Sequence, residues 1–302
     1  DILGDMNTIP EISMNISLNG KNRFQAGQQT LEYSINDNAT PENIGIDPIP
    51  GNYSNNGFLN QVRDQTVDSM VEDVYSNIFQ QTYSTLTKQS KESIQLFSTA
   101  LGKGSPLNTV FSDTGLSRDL SMMAKVINVQ QHLGANRQIF FTTFGGWDHH
   151  DDVLARQGGM LPVLSNALGE FNEALIEMGL QDKVTTFTIS DFARTLTSNG
   201  NGSDHAWGGN QMIMGGAVRG REIYGDYPSL HLGDQNVLNL NQRGRMLPTT
   251  SVDEFYAEIA LWFGVSPNDL GYILPNLCNF YTPSCPSPVP TGYAPIGMFE
   301  SL

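Results

Sequence analysis

Gln138-Ile139-Phe140-Phe141-Thr142-Thr143-Phe144-Gly145-Gly146-Trp147-Asp148-His149-His150-Asp151-Asp152 is the stretch that decides how this chain is read. Its first seven residues are dominated by aromatic and β-branched side chains, which reads as a buried strand, and the Gly-Gly that follows ends it. Helical spacing flanks it on both sides. Upstream, Leu116, Leu120, Met123, Val126, Ile127 and Leu133 predict a helix ending at Gly134-Ala135-Asn136. Downstream, Val153 to Met178 carries another 3.6-residue pattern that stops at Gly179. Val184 to Ile189 repeats the strand signature, and Gln211 to Met214 before Gly215-Gly216 gives a shorter third strand. Strand and helix alternating in this rhythm predict parallel pairing with right-handed crossovers, hence an α/β domain with a mostly parallel sheet flanked by helices.

Working outward, the chain is read as one domain over 1–302 in four segments. Residues 1–57 are rich in Asn, Gly, Pro and Ser, and the alternation from Ile12 to Leu18 reads as an edge strand. This opening has no cap, signal pattern or hydrophobic strand, so the chain is expected to lack an N-terminal part of the domain. Residues 58–133 are helical. The apolar spacing from Leu59 to Leu101 predicts one very long helix or two in tandem, breaking in the Gln- and Ser-rich centre from Gln80 to Ser90 and stopping at Gly102-Lys103-Gly104. Residues 134–277 form the α/β core that carries the chemistry, with a last helix over about 252–263 capped by Ser251 and stopped by Gly264. Residues 278–302 are a Pro-rich tail.

Composition narrows the partners. Among 302 residues, 31 Asp and Glu against 16 Lys and Arg give a net charge of −15, which repels phosphate backbones and anionic lipid surfaces. Nucleic acid is therefore not expected as a partner, and no apolar run approaches the roughly 18–20 residues of a membrane span. The two cysteines, Cys278 and Cys285, lack the further ligands of a zinc ribbon. A disulfide-closed loop in an oxidising compartment is the favoured reading over two free thiols.

The chemistry-bearing residues are grouped. Asp148, His149 and His150 follow the first strand, Asp191 and Arg194 follow the second, and a glycine-rich loop delivers Asp204 and His205 before the third. Open α/β sheets bind ligands at the carboxyl ends of their strands, so the groups are expected on one rim. Carboxylate with imidazole is the ligand set of a divalent cation such as Zn²⁺, Mn²⁺, Mg²⁺ or Ca²⁺. Asp148 and His150 are the first ligand pair, because residues two apart in extended chain face one side. Asp191 and His205 come next, with Asp204 and His149 as alternates or as partners that orient an imidazole. The same residues could instead line a metal-free polar pocket. Asp191 could cap a helix starting at Phe192, Asp204 could serve a turn, and His149 could simply cover surface. Arg194 either holds an anionic substrate oxygen or is ion-paired to Asp191 or Asp148. His132 and His231 are read as structural.

From Gln138 to Tyr227 the chain resembles a bacterial family known only as a domain of unknown function, number fifteen-oh-one, grouped with alkaline phosphatases and sulfatases. The resemblance rests on Gly-Gly-Trp-Asp-His-His, Ser-Asp-Phe-Ala-Arg-Thr, Asn-Gly-Ser-Asp-His-Ala-Trp-Gly-Gly and Met-Gly-Gly-Ala-Val-Arg-Gly, and continues through Gly244-Arg245-Met246-Leu247-Pro248 to the end of the chain. It implies a sulfatase-like α/β fold, export to the periplasm or the exterior with the signal removed, and a metal centre comparable to that of alkaline phosphatases, on Asp148, His150, Asp191, Asp204 and His205. The implied activity is metal-dependent hydrolysis of a small anionic phosphate or sulfate ester, with Arg194 neutralising developing charge. Departures are Asn210 where relatives often carry His, Ala193 and Ala206 where they carry Gly, and the absence from residues 1–57 of a strand bearing a nucleophile. The rival expectation is a non-catalytic secreted structural or interaction protein that keeps the fold, with or without a structural cation, and meets a protein partner or a second copy of itself.

Overall fold

A computed structural model describes residues 2–9, 13–27, 32–37, 57–280 and 296–300. The chain divides into two compact units, Asp1–Leu107 with Asp113–Thr143, and Asn108–Ser112 with Phe144–Leu302.

The first unit holds β1 (Asn15–Ser17), β2 (Tyr33–Ser34), β3 (Ile139–Phe141) and the helices α1 (Gly57–Glu72), α2 (Ile78–Leu101) and α3 (Gly115–Asn128). The three strands form a parallel sheet in the order β2-β1-β3, with Asn15 opposite Ile139. The first strand is therefore central and buried, where the alternation from Ile12 to Leu18 suggests an edge. Gln25 explains how. Its side-chain amide donates to the carbonyls of Ile16 (3.0 Å) and Ile139 (2.9 Å), and the Asn15 amide donates to the Gln25 carbonyl at 2.9 Å. Buried polar groups that find hydrogen-bond partners are tolerated in a core, so polarity alone does not mark an edge. Ile16 and Ile35 pack with Phe97 and Ala100 of α2 and Met122 and Val126 of α3. Each fully buried large side chain of this kind contributes about 1.5–3 kcal/mol.

Two helices, not one, span 57–101, and the break lies at 73–77, before the expected Gln80–Ser90 region. Asn77 sets it. Its side chain accepts hydrogen bonds from the N–H groups of Phe79 (2.9 Å) and Gln80 (3.3 Å), a local cap that outweighs continued apolar spacing. The polar centre of α2 stays helical and is tied to α1 by Lys88–Glu72 at 2.6 Å and by Lys91–Asp68.

The second unit opens with α4 (Val153–Glu177), followed by β4 (Thr186–Phe187), β5 (Ala193–Ser198), β6 (Ser203–Ala206), β7 (Ile213–Met214), β8 (Asn239–Leu240), β9 (Arg245–Met246), α5 (Val252–Phe263) and α6 (Leu270–Ile273). The strand pairs β4–β7, β5–β6 and β8–β9 are all antiparallel. The parallel pairing expected between the second and third strands is thus corrected. The alternative of a helix starting at Phe192 is corrected too, since residues 193–206 fold as the β5–β6 ribbon and turn the chain back. The last helix follows its sequence closely. Ser251 Oγ accepts from the Glu254 N–H at 3.1 Å, the Glu254 carboxylate accepts from the Ser251 N–H at 2.9 Å, and Gly264 ends the helix at φ 107°. Glu258 on the same helix is fully buried, and its carboxylate accepts from the backbone N–H groups of Ile296, Gly297 (2.6 Å) and Met298 (2.7 Å). Cys278 is disulfide-bonded, whereas Cys285 and residues 281–295 of the Pro-rich tail lie outside the described residues. Among the described residues, no helix is long and apolar enough to cross a membrane.

Candidate metal centre

The ribbon and the Gly-Gly-Trp-Asp-His-His run, both in the second unit, build the site. In β5–β6, Arg194 stands opposite His205, which puts the two side chains on one face. The run itself is not extended. His149 N–H donates to the Trp147 carbonyl at 2.9 Å and His150 N–H to the Asp148 carbonyl at 3.0 Å, two successive tight turns. They send His149 inward, only 1% exposed, and leave His150 and Asp148 outward. The surface reading of His149 is therefore corrected.

The glycine-rich loop closes over this run. Ser203 N–H donates to the His149 carbonyl at 3.1 Å, and Asn199 Nδ2 donates to the His150 carbonyl at 3.1 Å. A Cβ on Gly202 would lie 2.3 Å from the His150 carbonyl group, so only glycine permits the approach.

Asp148 is the hub. Its Oδ1 is 2.8 Å from His205 Nε2, 2.9 Å from His150 Nε2 and 2.5 Å from Arg194 Nη1. Asp148, His150 and His205 each offer one ligand atom, all within 4.8 Å of one another, and all three residues are exposed. Neighbouring ligands of a tetrahedral zinc ion stand about 3.3 Å apart, given bonds of about 2.0–2.1 Å. One carboxylate and two imidazoles at these separations fit a small divalent cation after slight spreading. The hydrogen bond from His205, then that from Arg194, holds the Asp148 carboxyl below the usual carboxylate range. It is an anion when a cation arrives. Phe192 lies flat on the His205 ring, centroids 4.3 Å apart and 9° from parallel, and restricts how that imidazole can turn.

Asp204 faces the other side of His150. Its Oδ1 is 3.6 Å from His150 Nδ1 and its Oδ2 2.5 Å from Arg243 Nη2. The ion pair with Arg243, then the Asn199 amide, lowers its carboxyl pKa. Asp204 is not a member of the Asp148–His150–His205 group, and its carboxylate lies beside the far nitrogen of His150. Asp191 is exposed and is not a member of the Asp148–His150–His205 group. Arg194 takes the ion-paired reading, with Nε donating to Ser203 Oγ at 3.0 Å, Nη2 to the Ser203 carbonyl and Nη1 to Asp148. Burial, then the charges of Arg156 and Arg194, pushes the His149 imidazole pKa down, and neither of its ring nitrogens has a hydrogen-bond partner among the described residues.

Arg243, Asn199 and Phe192 were not singled out in the sequence. Arg243 sits in the turn between β8 and β9, held by Leu196 N–H to the Gly244 carbonyl (3.2 Å) and Thr197 N–H to the Arg243 carbonyl (3.3 Å). The available signal was Asn241-Gln242-Arg243-Gly244, a turn-forming run directly before the matched Gly244-Arg245 motif.

An exposed Asp–His–His group braced by arginines defines a protein with a candidate divalent-cation site. The chain belongs to the family described as Protein of unknown function (DUF1501), whose profile matches residues 60–272, more than half of its length. No curated protein and no solved structure matches it.

Proposed function

We propose that this chain is an exported, metal-dependent hydrolase of phosphate or sulfate esters built on a sulfatase-like α/β fold. The observation that carries the reading is the convergence of His150 and His205 Nε2 on one oxygen of Asp148, with Arg194 on the same oxygen. Asp148, His150 and His205 would hold the cation. When bound, it would supply Lewis-acid polarisation of the ester oxygen. Arg194 already offsets the Asp148 charge, so a divalent cation leaves the site with excess positive charge, which suits a small anionic ester. Arg194 is pinned by Ser203 and would share its guanidinium between Asp148 and a substrate oxygen, binding charge that grows as the ester bond breaks. Asp204, backed by Arg243, keeps His150 aimed. The disulfide at Cys278 supports an oxidising, extracytoplasmic location.

One observation favours a second reading, a secreted structural or interaction protein. The Arg194–Asp148 pair satisfies the carboxylate without any ion. The test is turnover of chromogenic phosphate and sulfate esters by Zn²⁺- and Mn²⁺-loaded protein, beside His150→Ala. Turnover lost in the variant supports the hydrolase. No turnover with either metal supports the second reading, and equal turnover in both proteins shows that the activity does not come from this site.

A further inference from the structure

Three tryptophans occur in the chain, and two are used in packing. Trp147 donates its indole N–H to the Phe144 carbonyl at 2.7 Å and meets the Phe144 ring edge-on, and Trp262 stacks on Phe299 at 5.6 Å. Trp207 differs, with 73% of its surface exposed. It follows directly after β6, two residues beyond His205, so its Cα lies within about 7 Å of that of His205. His205 and Trp207 are both exposed and Ala206 between them is buried, with Trp207 at the bend that ends the strand. The outward face of the ribbon carries Arg194 and His205, with Phe192 stacked on His205 and the Arg194 guanidinium 5.7 Å from the Phe192 ring centre. Beside the charged cluster at Asp148, two residues along the chain from His205, stands an exposed indole that nothing in the second unit's described packing uses.

We infer that Trp207 is a stacking platform for the organic part of the ligand, and that the ester taken by the site carries an aryl ring next to its anionic group. The inference rests on the ester reading above. The anion meets Arg194 and the cation held by Asp148, His150 and His205, and the ring lies on the indole. Flat π faces offer one another large contact areas in offset stacking, and one such contact is worth roughly two- to ten-fold in affinity.

The test is calorimetric titration of the full chain, loaded with Zn²⁺, with phenyl phosphate and with inorganic phosphate, for the native protein, Trp207→Ala and Trp207→Phe. Circular dichroism checks that the variants are folded. The expected result is phenyl phosphate binding about five-fold tighter than inorganic phosphate in the native protein. That margin should vanish in Trp207→Ala while inorganic phosphate binds unchanged, and largely return in Trp207→Phe. Equal binding of the two anions, or a margin that survives Trp207→Ala, overturns the platform and leaves the ester reading standing. If neither anion binds the loaded native protein, the ester reading fails and the platform with it.

Discussion

Asp148 Oδ1 lies 2.8 Å from His205 Nε2, although 57 residues separate them in the chain. The closeness is produced locally by two devices, the Arg194–His205 register of the ribbon and the glycine-rich loop resting on the His149 and His150 carbonyls. The loop can be perturbed without replacing a candidate ligand.

Gly202→Ala forces a methyl group against the His150 carbonyl. Overpacking of this kind costs about 1–3 kcal/mol, because backbone and not a flexible side chain must move. Urea denaturation should show a lowered midpoint with little change in slope, and cation affinity should fall as the loop lifts. An unchanged midpoint would show that the loop does not rest where the structure has it.

Asp204→Asn keeps the shape beside His150 Nδ1 but removes the charge that Arg243 holds. Loss of a carboxylate that orients a ligating imidazole weakens metal affinity by roughly 10- to 100-fold. Competition with a chromophoric chelator would measure it, and Arg243→Gln should shift affinity in the same direction by less. Native affinity in both variants would reduce Asp204 to a surface ion pair.

Glu177 gives the pH prediction. Its carboxylate accepts from Asn108 N–H (2.7 Å) and Thr109 N–H (2.9 Å) and from both their side chains, which lowers its pKa to about 2, with the Asn108 backbone bond the largest cause. A depressed carboxyl stabilises the fold above its unfolded value near 4.5 and loses that contribution as pH falls toward 2. The melting-temperature gap between native protein and Glu177→Gln should be constant above pH 5 and close between pH 4.5 and 2. Because the group is exposed, the gap will be small. A gap that widens on acidification would contradict the assignment.

Glu258→Gln tests the anchoring of residues 296–298. A buried carboxylate accepting three backbone N–H groups is worth more than a neutral amide there, and its replacement should cost about 1.5–3 kcal/mol in chemical denaturation. A change below the error of the measurement would mean that the segment is held by Met298 and Phe299 packing alone.

Much of this was legible in the sequence where a local signal dominated. The capping box at Ser251 and the stop at Gly264 follow from residues within one helical turn, and the clustering of Asp148, His150 and His205 follows from glycine-bounded motifs at strand ends. Much of what was missed depends on long-range partners. The central position of β1 needs Gln25 to satisfy two strands at once, and the antiparallel β4–β7 pairing needs the ribbon between them. The surface reading of His149 failed because tight turns, not extended chain, aim the side chains after Trp147. Arg243 was invisible because its acidic partner lies 39 residues away and belongs to another motif.

The central claim is that Asp148, His150 and His205 together bind one divalent cation. Calorimetric titration of metal-stripped protein with Zn²⁺, run beside Asp148→Asn and His205→Gln, addresses it directly. The expected result is one equivalent bound by the native chain and a loss of at least an order of magnitude in affinity in either variant; equal stoichiometry and affinity in all three proteins would rule out the shared site.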